Sequence, residues 1–433
     1  MSVRVDSARV AVVGAGYVGL STAVSLAHLG HRVWCGEADL DKVERLRRGT
    51  PTIVEEGLEE ILREGLESGR LSIVEGAVAA VGEADFVFLC LPTPQGQDGS
   101  ADLSYLEAVA ADIGPHLVRE AVVVNKSTVP VGSTLIVERL LNRADVRVVS
   151  NPEFLREGSA IHDCLHPERI VVGADDPKAA ARVGALFSAT NAPVLITSAA
   201  SAETIKYAAN AFLATKLSFV NSVATLCEHL GADVKDVLLG MAYDHRIGFD
   251  YLRPGPGWGG SCLPKDTLAL GAISSAAGYH FGLLQAAIDA NRQQLGQVAT
   301  KIRQAAAAEG ATPTVAVWGL TFKAGTDDLR DSPALQIVRD LRSSGVAVRA
   351  YDPSVKGSVP GLDAEVEIGQ DAYSVCTGAD ALALLTEWDE FRWVDFERVR
   401  GAMRQPHVVD ARNLLDPAAL RRLGFRYVGV GRP

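Results

Sequence analysis

The chain has 433 residues, which at roughly 150 residues per domain predicts about three structural units. Hydrophobic residues make up 48% of the sequence and charged residues 22%, which is typical of packed globular domains and not of a disordered chain. The formal net charge of −11 at pH 7 disfavours non-specific binding to nucleic acid or to an anionic membrane surface, so a bound phosphate has to meet a local basic pocket.

The cysteines and the hydropathy pattern bear on cellular location. The six cysteines form no CxxC pair and no His/Cys cluster, which disfavours a metal site and a disulfide framework and favours reduced thiols. No apolar stretch reaches the ~18 residues of a membrane span, and the run Val10–Val13 ends in glycines without a cleavage-type site. These features predict a soluble cytoplasmic protein with no metal, no nucleic acid and no membrane partner.

The first part of the chain alternates strand and helix patterns. A strand, a glycine turn, a helix and a second strand are predicted first, at Val10–Val13, 14–19, Leu20–Leu29 and Arg32–Cys35. Further strands are predicted at Phe86–Cys90, Val122–Asn125 and Arg147–Ser150, with helical segments between them. This alternation is typical of a doubly wound parallel sheet over about residues 1–195.

The middle of the chain, at Ala202–Leu230 and Thr267–Ala308, carries helical patterns without strand signals. A second α/β unit begins near Thr314. Its predicted elements are a strand, a helix and three further strands, at Val315–Trp318, Ala334–Ser343, Val346–Tyr351, Ala381–Leu385 and His407–Val409. The predicted fold class is therefore α/β, with two Rossmann-like doubly wound parallel-sheet domains joined by a central helical domain. The predicted boundaries are 1–198, 199–308 and 309–433.

A GAGYVG motif at residues 14–19 follows the first strand and opens the first helix. Glycines there permit a tight turn and a close approach of the backbone to a pyrophosphate, which the helix N-terminus attracts. An ordinary glycine-rich turn is the alternative, but Glu37 follows the third glycine by 18 residues. A carboxylate at that distance accepts from the ribose hydroxyls and repels a 2′-phosphate, which predicts NAD rather than NADP.

A second glycine-rich motif, GPGWGGSCLPKD, spans residues 255–266. Its backbone has the freedom to wrap a ligand, and Cys262 lies just before a helix predicted to start near Pro264. The helix N-terminus and Lys265 would lower the pKa of a thiol there, which favours a nucleophile. A lone cysteine is more often a small buried hydrophobe, and that interpretation applies to the other five.

Six motifs together resemble the UDP-glucose/GDP-mannose dehydrogenase family, in the order found there. They are GAGYVGL from Gly14, the LPTP…DGSADLSY segment at Leu91–Tyr105, KSTVP from Lys126, NPEFLREG from Asn151, ExxKYxxN from Glu203, and GGSCLPKD from Gly259. The resemblance covers nearly the whole chain. It implies an NAD-binding first domain, a central domain that dimerises and carries the cysteine loop, and a last domain that binds the nucleotide sugar.

The resemblance also implies roles for individual residues. The implied catalytic residues are Cys262, Lys206, Asn210, Asp266, Glu153 and Thr128. The implied cofactor-binding residues are Gly14, Gly16, Tyr17, Val18, Gly19, Glu37, Lys42, Thr93, Ser127, Thr128, Glu157, Ser261, Lys265 and Arg330. The implied substrate-binding residues are Glu153, Phe154, Leu155, Lys206, Asn210, Arg246, Tyr251, Leu252, Arg253, Gly259, Lys323 and Arg412.

Several of these roles also make physical sense, although each residue type has a plainer explanation. Lys206 and Asn210 are four residues apart, so they share one helix face and suit an oxyanion, but such a pair is more often solvent-exposed. Glu153 and Glu157 follow a strand end, where α/β sheets bind ligands, yet they also fit a solvated surface. The resemblance makes Glu153 the acid/base and puts Glu157 beside the cofactor and a water.

The second α/β unit has Gly319-Leu320-Thr321-Phe322-Lys323 in place of a GxGxxG motif. Because the later glycines are missing, a second dinucleotide is not expected, and the resemblance makes this the nucleotide-sugar domain. Lys323 and Arg412 would neutralise the diphosphate or uridine side, and Arg330 would reach the cofactor. Taken singly, each is more often a surface salt-bridge residue.

The leading hypothesis is a four-electron oxidation of a nucleotide-sugar 6-hydroxymethyl group to a carboxylate with two NAD⁺, through a thiohemiacetal and a thioester on Cys262. A two-electron hydroxyacid-type dehydrogenase and a non-catalytic NAD sensor are the alternatives. Ser261 and Lys265 stand in a segment that resembles the glucose and mannose branches of the family rather than its N-acetylmannosamine branch. The segments Pro167–Val171 and Arg246–Gly248 resemble the UDP-glucose members, with dTDP-glucose or GDP-mannose as alternative substrates. Arg246 resembles a residue that enters the neighbouring subunit's site, so at least a homodimer is expected.

Overall fold

The computed structural model describes residues 7–96, 101–307 and 312–432. The chain divides into two compact units. The first comprises Met1–Ala209 and Leu268–Ala277, and the second comprises Asn210–Thr267 and Gly278–Pro433. The predicted boundary between residues 308 and 309 lies outside the described residues, as does part of the Leu91–Tyr105 motif, at residues 97–100. The three-domain division stays a prediction.

The first unit is built on one sheet with helices on its faces. Its strands are β1 (Arg9–Val13), β2 (Arg32–Glu37), β3 (Leu71–Glu75), β4 (Phe86–Leu89), β5 (Val122–Asn125), β6 (Arg147–Ser150), β7 (Ile170–Gly173) and β8 (Val194–Thr197). Its helices are α1 (Tyr17–His28), α2 (Leu40–Arg47), α3 (Leu58–Glu67), α4 (Gly76–Val81), α5 (Ser104–Ile113), α6 (Ser133–Leu141), α7 (Ala160–Leu165) and α8 (Pro177–Leu186).

The sheet of the first unit has eight strands in the order β3-β2-β1-β4-β5-β6-β7-β8. Neighbouring strands are parallel except β6 and β7, which pair antiparallel through Ser150 and Gly173. Alternate residues of β1 belong to different apolar clusters, with Val10 and Val12 in one and Ala11 and Val13 in the other. Since side chains alternate across a strand, both faces of the sheet are covered, which explains why its central strands are continuous apolar runs.

The second unit repeats this arrangement and adds long helices. Helices α9 (Ala199–Leu230) and α11 (Leu263–Ala276) each have residues in both units. The remaining helices are α10 (Val234–Ala242), α12 (Gly282–Ala305), α13 (Pro333–Ser343), α14 (Phe396–Ala402) and α15 (Pro417–Arg422). The strands are β9 (Thr314–Trp318), β10 (Ala347–Tyr351), β11 (Glu367–Ile368), β12 (Ala381–Leu384), β13 (His407–Asp410) and β14 (Arg426–Gly429). Single 3₁₀ turns lie at Gly114–His116, Ser188–Thr190, Ser374–Cys376 and Asp389–Arg392.

The second sheet has six parallel strands in the order β11-β10-β9-β12-β13-β14. The turn after its first strand matches the turn after β1. Gly14 (φ +96°) and Gly319 (φ +90°) both adopt a left-handed conformation, and each N–H donates to the carbonyl oxygen of a residue in the next strand, Gly36 or Tyr351, at 2.8 Å. Glycine adopts this conformation without strain, so the same residue type recurs at both turns.

Every strand predicted from the sequence is present, within a residue or two at its ends. The predicted helix Thr267–Ala308 is two helices, because the chain turns at Gly278, whose φ is +76°. Strands β3, β7, β8, β11 and β14 were not among the predicted elements. Among the described residues, no helix is long and apolar enough to cross a membrane, and no cluster of three His, Cys, Asp or Glu side chains is arranged to hold a metal ion.

Candidate functional site

The glycine turn between β1 and α1 is shaped for a close-approaching ligand. A Cβ on Gly19 would lie 1.8 Å from the carbonyl oxygen of Gly14, so the third glycine is required by the turn itself. A Cβ on Gly16 would meet no atom within 4 Å, and Gly16 caps α1 without a side chain. The space over the helix N-terminus is therefore open to an anionic group such as a pyrophosphate. Tyr17 and Val18, the first two residues of α1, are half-buried.

The Glu37 carboxylate closes the far side of this turn. One oxygen accepts from the N–H of Ala15 at 3.0 Å, and the other accepts from Ala38 and Asp39 at 2.8 and 3.0 Å. Three backbone donors fix its orientation at the end of β2, where a dinucleotide ribose is bound in this type of fold. Lys42 lies in the first turn of α2, which Asp39 caps.

We expect Glu37→Ala to lower the preference for NAD⁺ over NADP⁺ by about tenfold, because the carboxylate that repels a 2′-phosphate is lost. The ratio of kcat/KM for the two cofactors measures the effect. Glu44→Ala, on the exposed surface of α2, is the control and should leave the ratio unchanged. Equal kcat/KM for both cofactors in the wild type would contradict the assignment of Glu37.

The segments after β4 and β5 are joined by hydroxyl groups. Ser127 Oγ donates to the carbonyl oxygen of Leu91 at 2.7 Å and accepts from its N–H at 2.8 Å. Thr93 Oγ1 donates to the carbonyl oxygen of Thr128 at 2.9 Å. The predicted cofactor residues Thr93, Ser127 and Thr128 therefore form one cluster at the carboxyl edge of the first sheet, where ligands bind in α/β proteins.

Glu153 and Lys206 form a buried ion pair in the first unit. Lys206 Nζ donates to Glu153 Oε1 at 2.8 Å, and the two side chains are 4% and 6% exposed. Burial alone would raise the pKa of Glu153, but the charge and hydrogen bond of Lys206, the N–H of Leu155 and the charge of Lys126 together lower it below its ordinary value. Glu153 is thus a carboxylate at neutral pH, which is the form that can accept a proton.

The neighbouring predicted residues surround this pair. The guanidinium of Arg169 lies 3.8 Å from the ring centroid of Phe154, and Lys206 Nζ lies 5.6 Å from the same ring. Leu155 donates its N–H to Glu153 Oε2 at 2.6 Å. Glu157 is half-buried in the same loop, before α7. The loop after β6 therefore brings the predicted residues Glu153, Phe154 and Leu155 together with Lys206.

In the second unit, Asp266 is a buried carboxylate that accepts hydrogen bonds from one amide and one ammonium group. Its Oδ2 accepts from Asn210 Nδ2 and its Oδ1 from Lys265 Nζ, both at 2.6 Å. Asn210 is held in one orientation by this contact, one turn along α9 from Lys206. Both side chains of that pair are buried, so the alternative of an exposed helix face is wrong.

The loop before Cys262 is fixed by buried amide side chains. Asn291 bonds both the N–H and the carbonyl oxygen of Trp258, at 2.8 and 2.9 Å. A Cβ on Gly259 would lie 2.1 Å from the carbonyl oxygen of Asp331, and one on Gly260 would lie 2.7 Å from the Phe322 ring. These two glycines are therefore required by the packing of the chain itself. The predicted ability of this loop to wrap a ligand stays a prediction.

Cys262 is half-buried directly before α11, and its carbonyl oxygen accepts the first helical hydrogen bond, from Asp266 N, at 2.9 Å. Its Sγ lies 3.5 Å from Ser261 Oγ. Four of the other five cysteines are buried and Cys164 is half-buried, and all six are free thiols. Cys262 thus combines access with the donor end of a helix, which is the arrangement of a reactive thiol.

The cations predicted for the last domain lie at the carboxyl edge of the second sheet. Arg412 donates to the carbonyl oxygens of Leu385 and Phe322 at 2.9 and 3.0 Å and pairs with Glu387. Lys323 is half-buried and follows Phe322 directly. Arg330 makes a bidentate contact with Asp328, at 2.6 to 3.0 Å, on the segment before α13.

The remaining predicted substrate residues lie in the loop between α10 and α11. Arg246 is exposed and makes a bidentate pair with Asp244, which holds the pKa of that carboxyl below its ordinary value. Leu252 is buried and Arg253 is exposed, while Tyr251 has a positive φ of +59°. A non-glycine residue in that conformation is uncommon and is found at sites that surrounding contacts determine.

Three regions of the chain match one family. Residues 8–191 match the NAD binding domain of the UDP-glucose/GDP-mannose dehydrogenase family, residues 200–293 its central domain and residues 316–417 its UDP binding domain. The chain belongs to this family.

Several members of this dehydrogenase family are similar to the chain over almost its whole length. A UDP-glucose 6-dehydrogenase of Pseudomonas aeruginosa is 43% identical, over 98% of both chains. The solved UDP-glucose dehydrogenase of Pyrobaculum islandicum is 37% identical with a TM-score of 0.90, over 99% of this chain and 98% of that one. The UDP-D-ManNAc dehydrogenase of Pyrococcus horikoshii is 30% identical with a TM-score of 0.86, over 98% and 99%.

These findings confirm the predicted family, the fold with two parallel-sheet domains and the NAD-dependent dehydrogenase activity. The glycine turn fits the cofactor, since space is open at Gly16 and Glu37 stands at the end of β2. The assignments of individual residues to catalysis, cofactor and substrate stay predictions.

Three buried residues of this dehydrogenase were not predicted as site residues. Lys126 follows β5 and lies against the Glu153 segment. Glu203 accepts from Gly132 N, Thr134 N and Thr134 Oγ1 at 2.7 to 3.1 Å, which ties α9 to the start of α6. Asp352 accepts from Leu320, Thr321 and Trp388. Lys126 opens the KSTVP motif and Glu203 opens the ExxKYxxN motif. Their proximity in sequence to the predicted site residues Thr128 and Lys206 could therefore have indicated a role at the site.

Proposed function

We propose that this dehydrogenase oxidises the C6 hydroxymethyl group of UDP-glucose to a carboxylate, giving UDP-glucuronate in a four-electron reaction. The observation that carries the proposal is the 43% identity of this chain, over nearly all its length, to a UDP-glucose 6-dehydrogenase. The buried Glu153–Lys206 pair of the first unit and the accessible Cys262 of the second unit each support it. A two-electron dehydrogenase has no use for a nucleophile.

Bound NAD⁺ would accept the hydrides that leave C6, held by the turn at Gly14–Gly19, by Glu37 and by the cluster of Thr93, Ser127 and Thr128. The 6-hydroxyl gives up its proton to a base, and Glu153 is the carboxylate suited to that task. Lys206 and Asn210 donate to the oxygen on C6 as negative charge develops there. Asp266 keeps the Asn210 amide in place for this contact.

The Cys262 thiolate then adds to the aldehyde carbon, forming the C–S bond of a thiohemiacetal, with its oxygen again held by Lys206 and Asn210. After the second oxidation the product is a thioester. Water held by Thr128 and Asp266 attacks it with Glu153 as base, the C–S bond breaks, and the thiol and the carboxylate are released. Covalent capture prevents loss of the aldehyde between the two oxidations.

The nucleotide sugar would be bound by Lys323 and Arg412 in the last domain, with Phe154, Leu155, Tyr251, Leu252, Arg253 and Gly259 contributing further contacts. Steady-state rates with UDP-glucose, dTDP-glucose, GDP-mannose and UDP-N-acetylmannosamine, measured side by side, test this assignment. We expect the highest kcat/KM with UDP-glucose and two NADH per sugar. One NADH per sugar would favour the two-electron alternative, and a preference for another sugar would reassign the substrate.

We also propose that the protein works in the reducing cytoplasm, since its six thiols are free, and that a second copy of the chain covers α9. Phe212, Phe219 and Leu226 recur at seven-residue spacing on this helix, and they are 68%, 54% and 54% exposed. Residues seven apart share one helix face, so they form an apolar stripe that is unfavourable in water. The Arg246 loop would enter the partner's substrate site.

Sedimentation should therefore give a mass of at least twice the 45.8 kDa of one chain at micromolar concentration. Phe219→Asp places a charge in the middle of the stripe and should shift the protein towards monomer with a loss of activity. Trp393→Asp is the control, because Trp393 is exposed but is not part of the α9 stripe, and the change should leave the mass unchanged. A fully active wild-type monomer would contradict the proposal.

A further inference from the structure

Lys126 is a buried ammonium group without a carboxylate at ion-pair distance. It follows β5, is 9% exposed, and its Nζ donates to Asn151 Oδ1 at 3.0 Å. None of the ion pairs found in the described part of the chain includes it. Its Nζ also lies 5.8 Å from the centroid of the Phe187 ring. A buried lysine whose partners are a neutral amide and an aromatic ring is costly for a fold, so a role beyond packing is indicated.

The direction of the Lys126 side chain is fixed by Asn151. Asn151 Nδ2 donates to the carbonyl oxygen of Val171 at 2.7 Å, and its backbone N–H donates to the carbonyl oxygen of Asn125 at 2.9 Å. Its Oδ1 is thereby aimed at Lys126. Asn151 also stands two residues before Glu153, so the same segment positions the ammonium and carries the catalytic carboxylate.

Four titratable groups face Lys126 from the surrounding elements: Cys90 after β4, Cys164 in α7, Glu153 after β6 and Lys206 in α9. Burial raises the pKa of the Cys90 thiol and raises that of Cys164 to about 11, so both are neutral at pH 7. Burial lowers the pKa of Lys126 from its ordinary value, whereas Glu153 and the two thiols oppose that shift. Glu153 and Lys206 are therefore the charged groups that face Lys126.

The two lysines stand in different relations to Glu153. Lys206 touches the carboxylate at 2.8 Å, and in the proposed function it also serves the oxyanion on C6. Lys126 is bound to Asn151 and has no substrate role, so its charge stays with Glu153 throughout the reaction. Building on the proposed function, we propose that Lys126 is a positioning residue that keeps Glu153 in the carboxylate form while Lys206 is engaged with the substrate.

The test is the pH dependence of kcat for UDP-glucose oxidation in Lys126→Gln, Lys126→Met and Lys126→Arg. Glutamine keeps a donor for Asn151 Oδ1 without the charge, methionine keeps only the stem, and arginine keeps the charge. We expect the acidic limb of the profile to move to higher pH by about one unit in Lys126→Gln and Lys126→Met. A nearby cation favours the carboxylate form of Glu153, so removing it should raise the pKa of Glu153. Above the limb, kcat should return close to the wild-type plateau, and Lys126→Arg should keep the wild-type limb.

Lys178→Met, at an exposed lysine in α8, is the matched control and should leave the profile unchanged. An unchanged acidic limb in Lys126→Gln and Lys126→Met, or an equal loss of kcat at every pH, would overturn the proposal. If neither neutral variant folds while Lys126→Arg does, Lys126 serves folding and the proposal is again wrong. A wild type inactive towards UDP-glucose would instead refute the proposed function, and this inference with it.

Discussion

Replacing Cys262 by serine is expected to lower the turnover of UDP-glucose by a factor on the order of 10⁴, because a serine hydroxyl is far less ionised than a thiol. The variant should fold and bind both NAD⁺ and UDP-glucose as the wild type does. The loop that carries residue 262 is held by Asn291 and by the packing of Gly259 and Gly260, none of which involves the sulfur. Steady-state rates and calorimetric binding measure these two outcomes.

The intact mass of the chain distinguishes a nucleophile from a packing residue. An ester formed on Cys262→Ser should hydrolyse slowly and add the mass of the bound sugar nucleotide, whereas Cys262→Ala has no atom with which to form it. Cys227→Ser, at a buried cysteine of α9, is the control and should turn over at close to the wild-type rate. Near wild-type acid formation by Cys262→Ala would rule out the thiohemiacetal and return Cys262 to the role of a small buried hydrophobe.

Most central strands of the two sheets could be predicted because parallel sheets covered on both faces require continuous apolar runs, and such runs are visible in a sequence. Val122–Asn125 and Ala381–Leu384 are buried at every position, and both were found. Strand β7, Ile170–Gly173, is equally buried and was missed. Strand β14 alternates exposed and buried residues in Arg426–Gly429 at the edge of the second sheet. A four-residue alternation carries too little signal against the surrounding helices and turns, so that strand was missed.

The sequence proposed the candidate site as a set of residues, but it did not predict the contacts between them. Lys206 and Glu153 are 53 positions apart, and Asn210 and Asp266 are 56 apart. The periodicity of a helix predicts contacts only between residues a few positions apart, so neither contact could be predicted from the sequence. The same limit applies to Glu203, whose partners at the start of α6 are about seventy positions away. Lys126 was missed for another reason, since burial rather than residue type makes its charge significant.

Why a position requires glycine can also depend on residues that are distant in the sequence. The glycines at 14 and 19 were predicted to form a tight turn, and the φ of Gly14 and the contact at Gly19 agree with that. For Gly259 and Gly260, the contacts with Asp331 and Phe322 that require a glycine could not be predicted, because their partners lie about 60 to 70 positions away in the chain. The consequence is that substitutions there would displace the Cys262 loop even if neither residue touches the substrate.

Lys206→Met is expected to abolish most activity and to destabilise the first unit by about 3 kcal/mol, because a buried carboxylate then loses its partner. Glu153 has a lowered pKa in the wild type, so its contribution to stability is present above the ordinary glutamate pKa and is lost as the pH falls through the lowered value. Losing Lys206 raises that pKa. The difference in Tm between variant and wild type should therefore be largest near pH 7 and shrink as the pH falls towards 5.

The double variant Glu153→Gln/Lys206→Met separates stability from catalysis. It removes both buried charges, so it should recover most of the Tm lost in Lys206→Met while remaining inactive, because neither the base nor the oxyanion donor is restored. Arg9→Met is the control, since Arg9 is exposed and its ion pair with the half-buried Asp85 is largely solvated, so the Tm should change little. A double variant that regained activity would show that the pair serves only the fold. A Lys206→Met enzyme with an unchanged Tm at pH 7 would show that Glu153 does not depend on Lys206 for its charge.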